Sequence, residues 1–158
     1  MHKSQSRQFE TLDEAVTATR QAAIRLLARR EYGAYELTEK LHHRRGFPRK
    51  AVEQVVAWLQ DKDLQSDRRF VEMYIRSRKS RGQGPVRLRA ELQQLAINDE
   101  LVRDHLESDE QEWVDIARQV CQKRFGVRRE ISAAERAKQQ RFLQYRGFSF
   151  EQIKSALT

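Results

Sequence analysis

Apolar residues recur along this chain at three- and four-residue intervals, the spacing of one face of an α-helix. Val52, Val55, Val56 and Leu59 make one such stripe, and Phe70, Val71, Tyr74 and Ile75 make another. Leu88, Leu92 and Leu95 make a third. Ahead of them Ala15, Val16, Ala23, Leu26 and Leu27 share a face, and Leu37 and Leu41 sit one turn apart. Behind them come Leu101, Val102 and Leu106, then Trp113, Ile116, Ala117 and Val120, then Ile153, Ala156 and Leu157. Strand-like alternation is absent and the β-branched residues fall at helical spacings. The pattern predicts an all-α chain.

Capping residues divide the stripes into separate helices. Thr11-Leu-Asp-Glu14, Ser108-Asp-Glu-Gln111, Ser132-Ala-Ala-Glu135 and Ser149-Phe-Glu-Gln152 have capping-box spacing, and Ser66 and Asn98 are further N-cap candidates. Gly33 is expected to stop or kink the first helix. The second runs through Tyr35 to about Arg45 and closes at Gly46, Pro48 opens the third, and Gly126 and Gly147 end later ones. Gly82-Gln-Gly-Pro85 holds two glycines and a proline in four residues and predicts a sharp turn between two helices.

The helices recur in threes. Phe47, Ile97 and Phe148 each precede a capping or opening residue; five positions on stand Val52, Val102 and Ile153, and nine positions on stand Val56, Leu106 and Leu157. Periods of about 50 residues mark helical arrays whose units bury their apolar faces against one another. The expected layout is a disordered tail over 1–10 and three three-helix repeats over 11–65, 66–107 and 108–158. Together they predict an elongated tandem array with a wide groove rather than a deep pocket.

Of the 158 residues, 34% are charged and 39% apolar, which suits thin helical layers rather than a single thick core. A net charge of +8 favours a polyanionic partner. No apolar run reaches bilayer length and Met1 to Glu10 is polar, so neither a membrane span nor a signal peptide is expected. Cys121 is a lone cysteine, consistent with a reducing compartment. A cytoplasmic monomer is expected.

The charge lies in blocks. From Asp67 to Arg89 eight basic residues stand against two acids, from Asn98 to Asp115 eight acids against Arg103, and from Arg118 to Arg146 nine basic residues against two acids. Either these blocks bind each other, or the basic ones face outward toward a phosphate backbone or an acidic protein surface. At 100° per residue, Arg76 and Lys79 fall opposite the Phe70/Tyr74 stripe and face water or a partner. Arg78 falls on the apolar side, and Arg87 and Arg89 flank the Leu88/Leu92 stripe on opposite borders.

Enzyme chemistry finds no footing. His42 and His43 are adjacent and point about 100° apart on a helix, so they do not form a ligand pair, and His105 and Cys121 are isolated. Asp61 and Asp63 sit at a helix end, where a solvated turn is the expected role. There is no glycine-rich phosphate loop with a lysine and no nucleophile elbow. No metal, cofactor or catalytic residue is expected. Trp58, Trp113, Phe125, Tyr145 and Phe148 are expected in the core or at helix junctions.

Arg76-Ser-Arg78, Gly82-Gln-Gly-Pro85-Val-Arg87 and Glu91-Leu92 together resemble the signature of the RecX family, bacterial regulators of the RecA recombinase. The likeness extends to Asp67-Arg-Arg-Phe70-Val71 and Arg141-Phe-Leu-Gln-Tyr-Arg-Gly147-Phe148, and runs from about Ala22 to Leu157. Gln60-Asp-Lys-Asp-Leu64 departs from the family's usual run at that linker. The resemblance implies binding along the groove of the RecA filament on DNA, with modulation, mostly inhibition, of RecA ATPase, strand exchange and co-protease activity.

On that reading the contact candidates are Arg76, Arg78, Lys79, Arg81, Arg87 and Arg89 in the second repeat and Arg128, Arg129, Lys138 and Arg141 in the third. Gly82, Gly84 and Pro85 form the turn motif. The competing class is a general binder of single- or double-stranded DNA built from helix-turn-helix-like repeats. Against it, no repeat carries a helix rich in base-reading Arg, Asn and Gln on one exposed face with its own dimerisation element. An adaptor that touches only protein is the third option.

Overall fold

Nine helices and no strand form among residues 6–158, the residues that this computed structural model describes. They are α1 (Leu12–Leu27), α2 (Ala34–Glu39), α3 (Arg49–Asp61), α4 (Asp67–Ser80), α5 (Pro85–Gln94), α6 (Asp99–Leu106), α7 (Glu110–Phe125), α8 (Ala133–Arg146) and α9 (Phe150–Ala156). Residues 1–5 of the expected tail lie outside the described residues. The chain divides into two compact units, one ending at Val71 and the next beginning at Glu72.

The capping residues act at most of the expected places. Ser132 and Ser149 form complete capping boxes with Glu135 and Gln152, and Asn98 accepts from the Glu100 and Leu101 amides. Ser66 Oγ accepts from the Arg69 amide. Three details differ. Thr11 caps Glu14, but the Glu14 carboxylate turns back to the Glu10 amide. Asp109, not Ser108, caps α7 by accepting from Glu112; its carboxylate serves the same purpose one residue later. Gly33 does not end α1, which stops at Leu27; it stands as the extended N-cap of α2.

In the first unit α1 and α2 pack on α3. Ala23, Leu26, Leu37, Leu41, Val52, Val55 and Leu59 fill the interior. After Glu39 the helix widens into a π-helical turn over Lys40–Arg44, where the Arg45 amide reaches back to the Lys40 carbonyl at 3.1 Å. This leaves Leu41 fully buried and sets His42 Nδ1 2.8 Å from the Phe47 carbonyl. The described part of the tail is held rather than frayed. The Arg7 amide donates to the Gly46 carbonyl, its guanidinium lies over the Phe47 ring, and Phe9 stacks on the same ring. The start of α4 is tied down by Asp67, which accepts from the Ala34 amide and from Gln65.

The second unit holds most of α4, together with α5 to α9. Ile75, Leu88, Leu92, Val102, Leu106, Trp113, Ala117 and Leu143 are buried there. Each fully buried large side chain contributes about 1.5–3 kcal/mol, against about 0–1 kcal/mol for an exposed ion pair. Apolar packing therefore decides the fold. Of the nine register positions that define the repeat, only Leu157 is not buried.

The predicted turn does more than reverse the chain. The Gly84 amide donates to the Arg146 carbonyl at 2.9 Å and the Val86 amide to the Gly147 carbonyl at 2.9 Å, so the second and third repeats share main-chain hydrogen bonds. Gly84 lies so close to Gly147 that a Cβ would stand 2.4 Å from the Gly147 carbonyl carbon and oxygen. Gly147, at φ +96°, meets Arg87 in the same way: a Cβ there would be 2.3 Å from the Arg87 Cβ. Arg146 adds a bond from its guanidinium to the Arg81 carbonyl. Two glycines, 63 positions apart, thus form the joint between repeats.

Gly84→Ala forces two main chains apart, because the atoms it meets belong to backbone and cannot rotate away. It should cost at least about 2 kcal/mol, or roughly 10 °C in Tm for a unit of this length, in a thermal melt. An unchanged Tm would mean that the close approach is not needed.

Candidate functional site

The basic cluster sorts into cations that the chain already uses and cations that it does not. Tyr74, one turn before Arg78 on α4, donates its hydroxyl to Glu91 on α5 and accepts from the Arg78 guanidinium at 3.1 Å. Arg78 lies over the Tyr74 ring, with its Nε 3.6 Å from the Glu91 carboxylate. Arg87, one turn before Glu91, donates to it from Nε at 2.9 Å. One carboxylate therefore holds two arginines and a tyrosine. Burial alone would raise the Glu91 pKa, but the Tyr74 and Arg87 hydrogen bonds outweigh it and hold the carboxyl below its ordinary value. Burial first, and then the Glu91 hydrogen bond, push the Tyr74 phenol up.

Lys79, expected to face water or a partner, instead pairs with Glu112 on α7 and sits 4.5 Å from the Trp113 ring centre. Arg89 pairs with Glu107 at 2.9 Å, and Arg128 with Glu135 at 2.7 Å. Lys79 and Arg89 thus reach into the acidic block between Asn98 and Asp115. In part, the alternating blocks do bind each other.

Arg76, Arg81, Arg129, Lys138 and Arg141 are a different set. All five are exposed; among the described residues no ion pair or side-chain hydrogen bond engages Arg76, Arg81, Arg129 or Arg141, while Lys138 acts on the Glu135 carboxylate one turn before it on α8. Arg76 lies on the outer face of α4 and Arg81 at the mouth of the glycine turn. Arg129 lies in the loop after α7, and Lys138 and Arg141 lie on α8. Arg128 and Arg129 also line a cleft of about 310 Å³ with Arg118 and Arg136. The latter two bond the Ser155 and Leu157 carbonyls.

The glycine turn is not an exposed feature. Gly82, Gly84 and Pro85 are buried, and a Cβ on Gly82 would meet Val120 on α7 at 2.3 Å. The aromatic residues divide: Trp113 and Phe148 are buried and Trp58 and Phe125 half-buried, but Tyr145 is 81% exposed. It stands on the solvent side of α8, one position before the helix ends, so of the core or helix-junction roles expected of it the core role does not hold. Glu91, Glu107 and Glu112 escaped the sequence reading as partners. Only Arg87–Glu91, four residues apart on one helix, carried a local signal. Among the described residues no cluster of His, Cys, Asp and Glu could hold a metal, and no helix is long and apolar enough to cross a membrane.

Comparison with known proteins agrees with this architecture. Three RecX family models match in succession: the first three-helix domain over residues 20–59, the second over 66–106 and the third over 110–157. The chain is 42% identical over 142 residues to Regulatory protein RecX of Halorhodospira halophila, covering 90% of this chain and 88% of that protein. It is 44% identical over 138 residues to Regulatory protein RecX of Chromohalobacter salexigens, covering 87% and 90%. The crystal structure of RecX from Lactobacillus salivarius superposes with a TM-score of 0.77 over 92% of this chain and 96% of that one, at 19% identity, a likeness of fold.

Glu91 is the test of the internal network. Its folded-state pKa is depressed, so it contributes stability above the ordinary carboxylate range, and the contribution is lost as pH falls through the folded value. Glu91→Gln should cost about 1–3 kcal/mol at pH 7 in denaturant unfolding. The gap to the unaltered chain should narrow below roughly pH 4. A gap that stays constant from pH 7 to pH 3 would contradict the assignment.

Proposed function

The chain belongs to the RecX family of regulatory proteins, and from that premise we propose that it binds the RecA filament on DNA and modulates, mostly inhibits, its activities. ATPase, strand exchange and co-protease function are the activities concerned. The observation that supports this reading most is the charge left over once internal pairs are formed. Arg78, Lys79, Arg87, Arg89 and Arg128 are already engaged by carboxylates of this chain. Arg76, Arg81, Arg129 and Arg141 are left for another molecule.

A nucleoprotein filament offers both phosphate and acidic protein surface, and these four unpaired cations suit either. Regulation then follows from occupancy. A body docked across neighbouring recombinase subunits hinders the conformational change that each round of ATP hydrolysis requires, and with it strand exchange and co-protease action. No chemistry by this chain is involved. A binder of bare DNA would use the same cations, so the two readings part on preference rather than on affinity.

The experiment is a salt series of binding to bare single-stranded DNA, bare duplex and RecA-coated single strand. The regulator reading expects a strong preference for the coated strand. Equal binding to all three, with a steep salt slope, would establish general DNA binding instead. Replacing Arg76, Arg81, Arg129 and Arg141 by Gln should weaken filament binding and inhibition of ATPase while leaving the melting curve intact. If these residues meet phosphate, each phosphate no longer neutralised flattens the slope by about 0.7–0.9 in log K per log unit of salt. Full inhibition by that variant would remove the free cations from the mechanism.

A further inference from the structure

A second feature of the same unit is apolar. Between α5, α8 and α9 lies a groove of about 490 Å³, within the range of sites that take small molecules or peptide anchors. Val86, Phe148, Phe150 and Ile153 line it, with Gln140 and Gln144 on the α8 side. Val86 is 55% and Phe150 73% exposed, although each lies beside residues that are buried. Exposed large apolar side chains scattered singly need no explanation, whereas a group converging on one concavity marks a binding surface.

We propose that this groove docks a short segment of the protein partner in which an apolar side chain lies beside a carboxylate. The inference rests on the regulator reading above and names how the partner's protein component is held. Charge complementarity selects the occupant. Among the described residues no carboxylate lines the groove; its one charged lining residue is Lys154, and Gln140 and Gln144 contribute neutral amides.

A second copy of this chain fits poorly. Two molecules each of net charge +8, related by a twofold axis through the groove, would bring cation against cation. A nucleic-acid strand fits poorly too, because one lysine neutralises little of a phosphate backbone. An apolar anchor with an acidic neighbour satisfies both the apolar lining and Lys154.

Val86 and Phe150 are exposed, so the double variant Val86→Asn, Phe150→Gln should melt like the unaltered chain. Its affinity for RecA-coated single-stranded DNA should fall about 10–30-fold, the size of a missing apolar anchor. The salt slope should not change, since no charge is removed, and binding to bare single-stranded DNA should be unaffected. Phe150→Leu should retain most of the affinity, and Lys154→Gln should lower both affinity and slope.

If the unaltered chain prefers the filament and the double variant binds it equally well, the groove is not the docking site and the regulator reading survives. A parallel loss on bare single-stranded DNA would show base stacking in place of peptide docking. Self-association of the unaltered chain in sedimentation, abolished in the double variant, would make the occupant a second copy. A chain that does not distinguish filament from bare DNA would overturn the regulator reading itself, and this inference with it.

Discussion

The second unit depends on two peptide backbones coming closer than any side chain permits. Gly84 and Gly147 meet where the turn after α4 crosses the end of α8, and the amides of Gly84 and Val86 bond to the carbonyls of Arg146 and Gly147. Side chains that touch can relax by rotation, but main chains that touch have no such freedom. The joint therefore fixes α5 against α8 and α9 within narrow limits. Gly82 adds a third fixed point on Val120 of α7.

That joint and the packing of α4 on α5 decide which charges are available. Across the joint Lys79 reaches Glu112, and within the second repeat Glu91 gathers Arg78, Arg87 and Tyr74. Exposed ion pairs contribute little to stability, but they withdraw cations from the surface. What remains outward is a smaller and different set than charge density alone suggests. The same geometry brings Val86 of the second repeat to Phe148, Phe150 and Ile153 of the third, and so builds an apolar groove that neither repeat has alone.

Much of the fold was legible in the residues. The 3.6-residue stripes, Ser132, Ser149 and Asn98 as caps and the near-50-residue recurrence each correspond to a local preference, and local preferences survive folding. The π-helical turn at Lys40–Arg44 was not legible, because Tyr35 to Arg45 reads as an uninterrupted helix and no residue in that run marks the widening. The candidate site was legible in composition and only partly in geometry. Arg78 on the apolar side of α4 was foreseeable from helix phase. The pairing of Lys79 with Glu112, 33 residues away, was not, since no periodicity encodes an ion pair between repeats. The turn drew notice as a reversal of the chain. Its second role needs Gly147, and nothing local to either glycine announces the other.

Amide hydrogen exchange at Gly84 and Val86 tests the joint most directly, because these two amides report the bonds that tie the repeats together. If the second and third repeats are one body, both amides exchange only as the buried segments around Leu88 and Leu143 open, with the same opening free energy. Exchange at those two positions many-fold faster than in the flanking helices would show the repeats moving independently and would contradict the account.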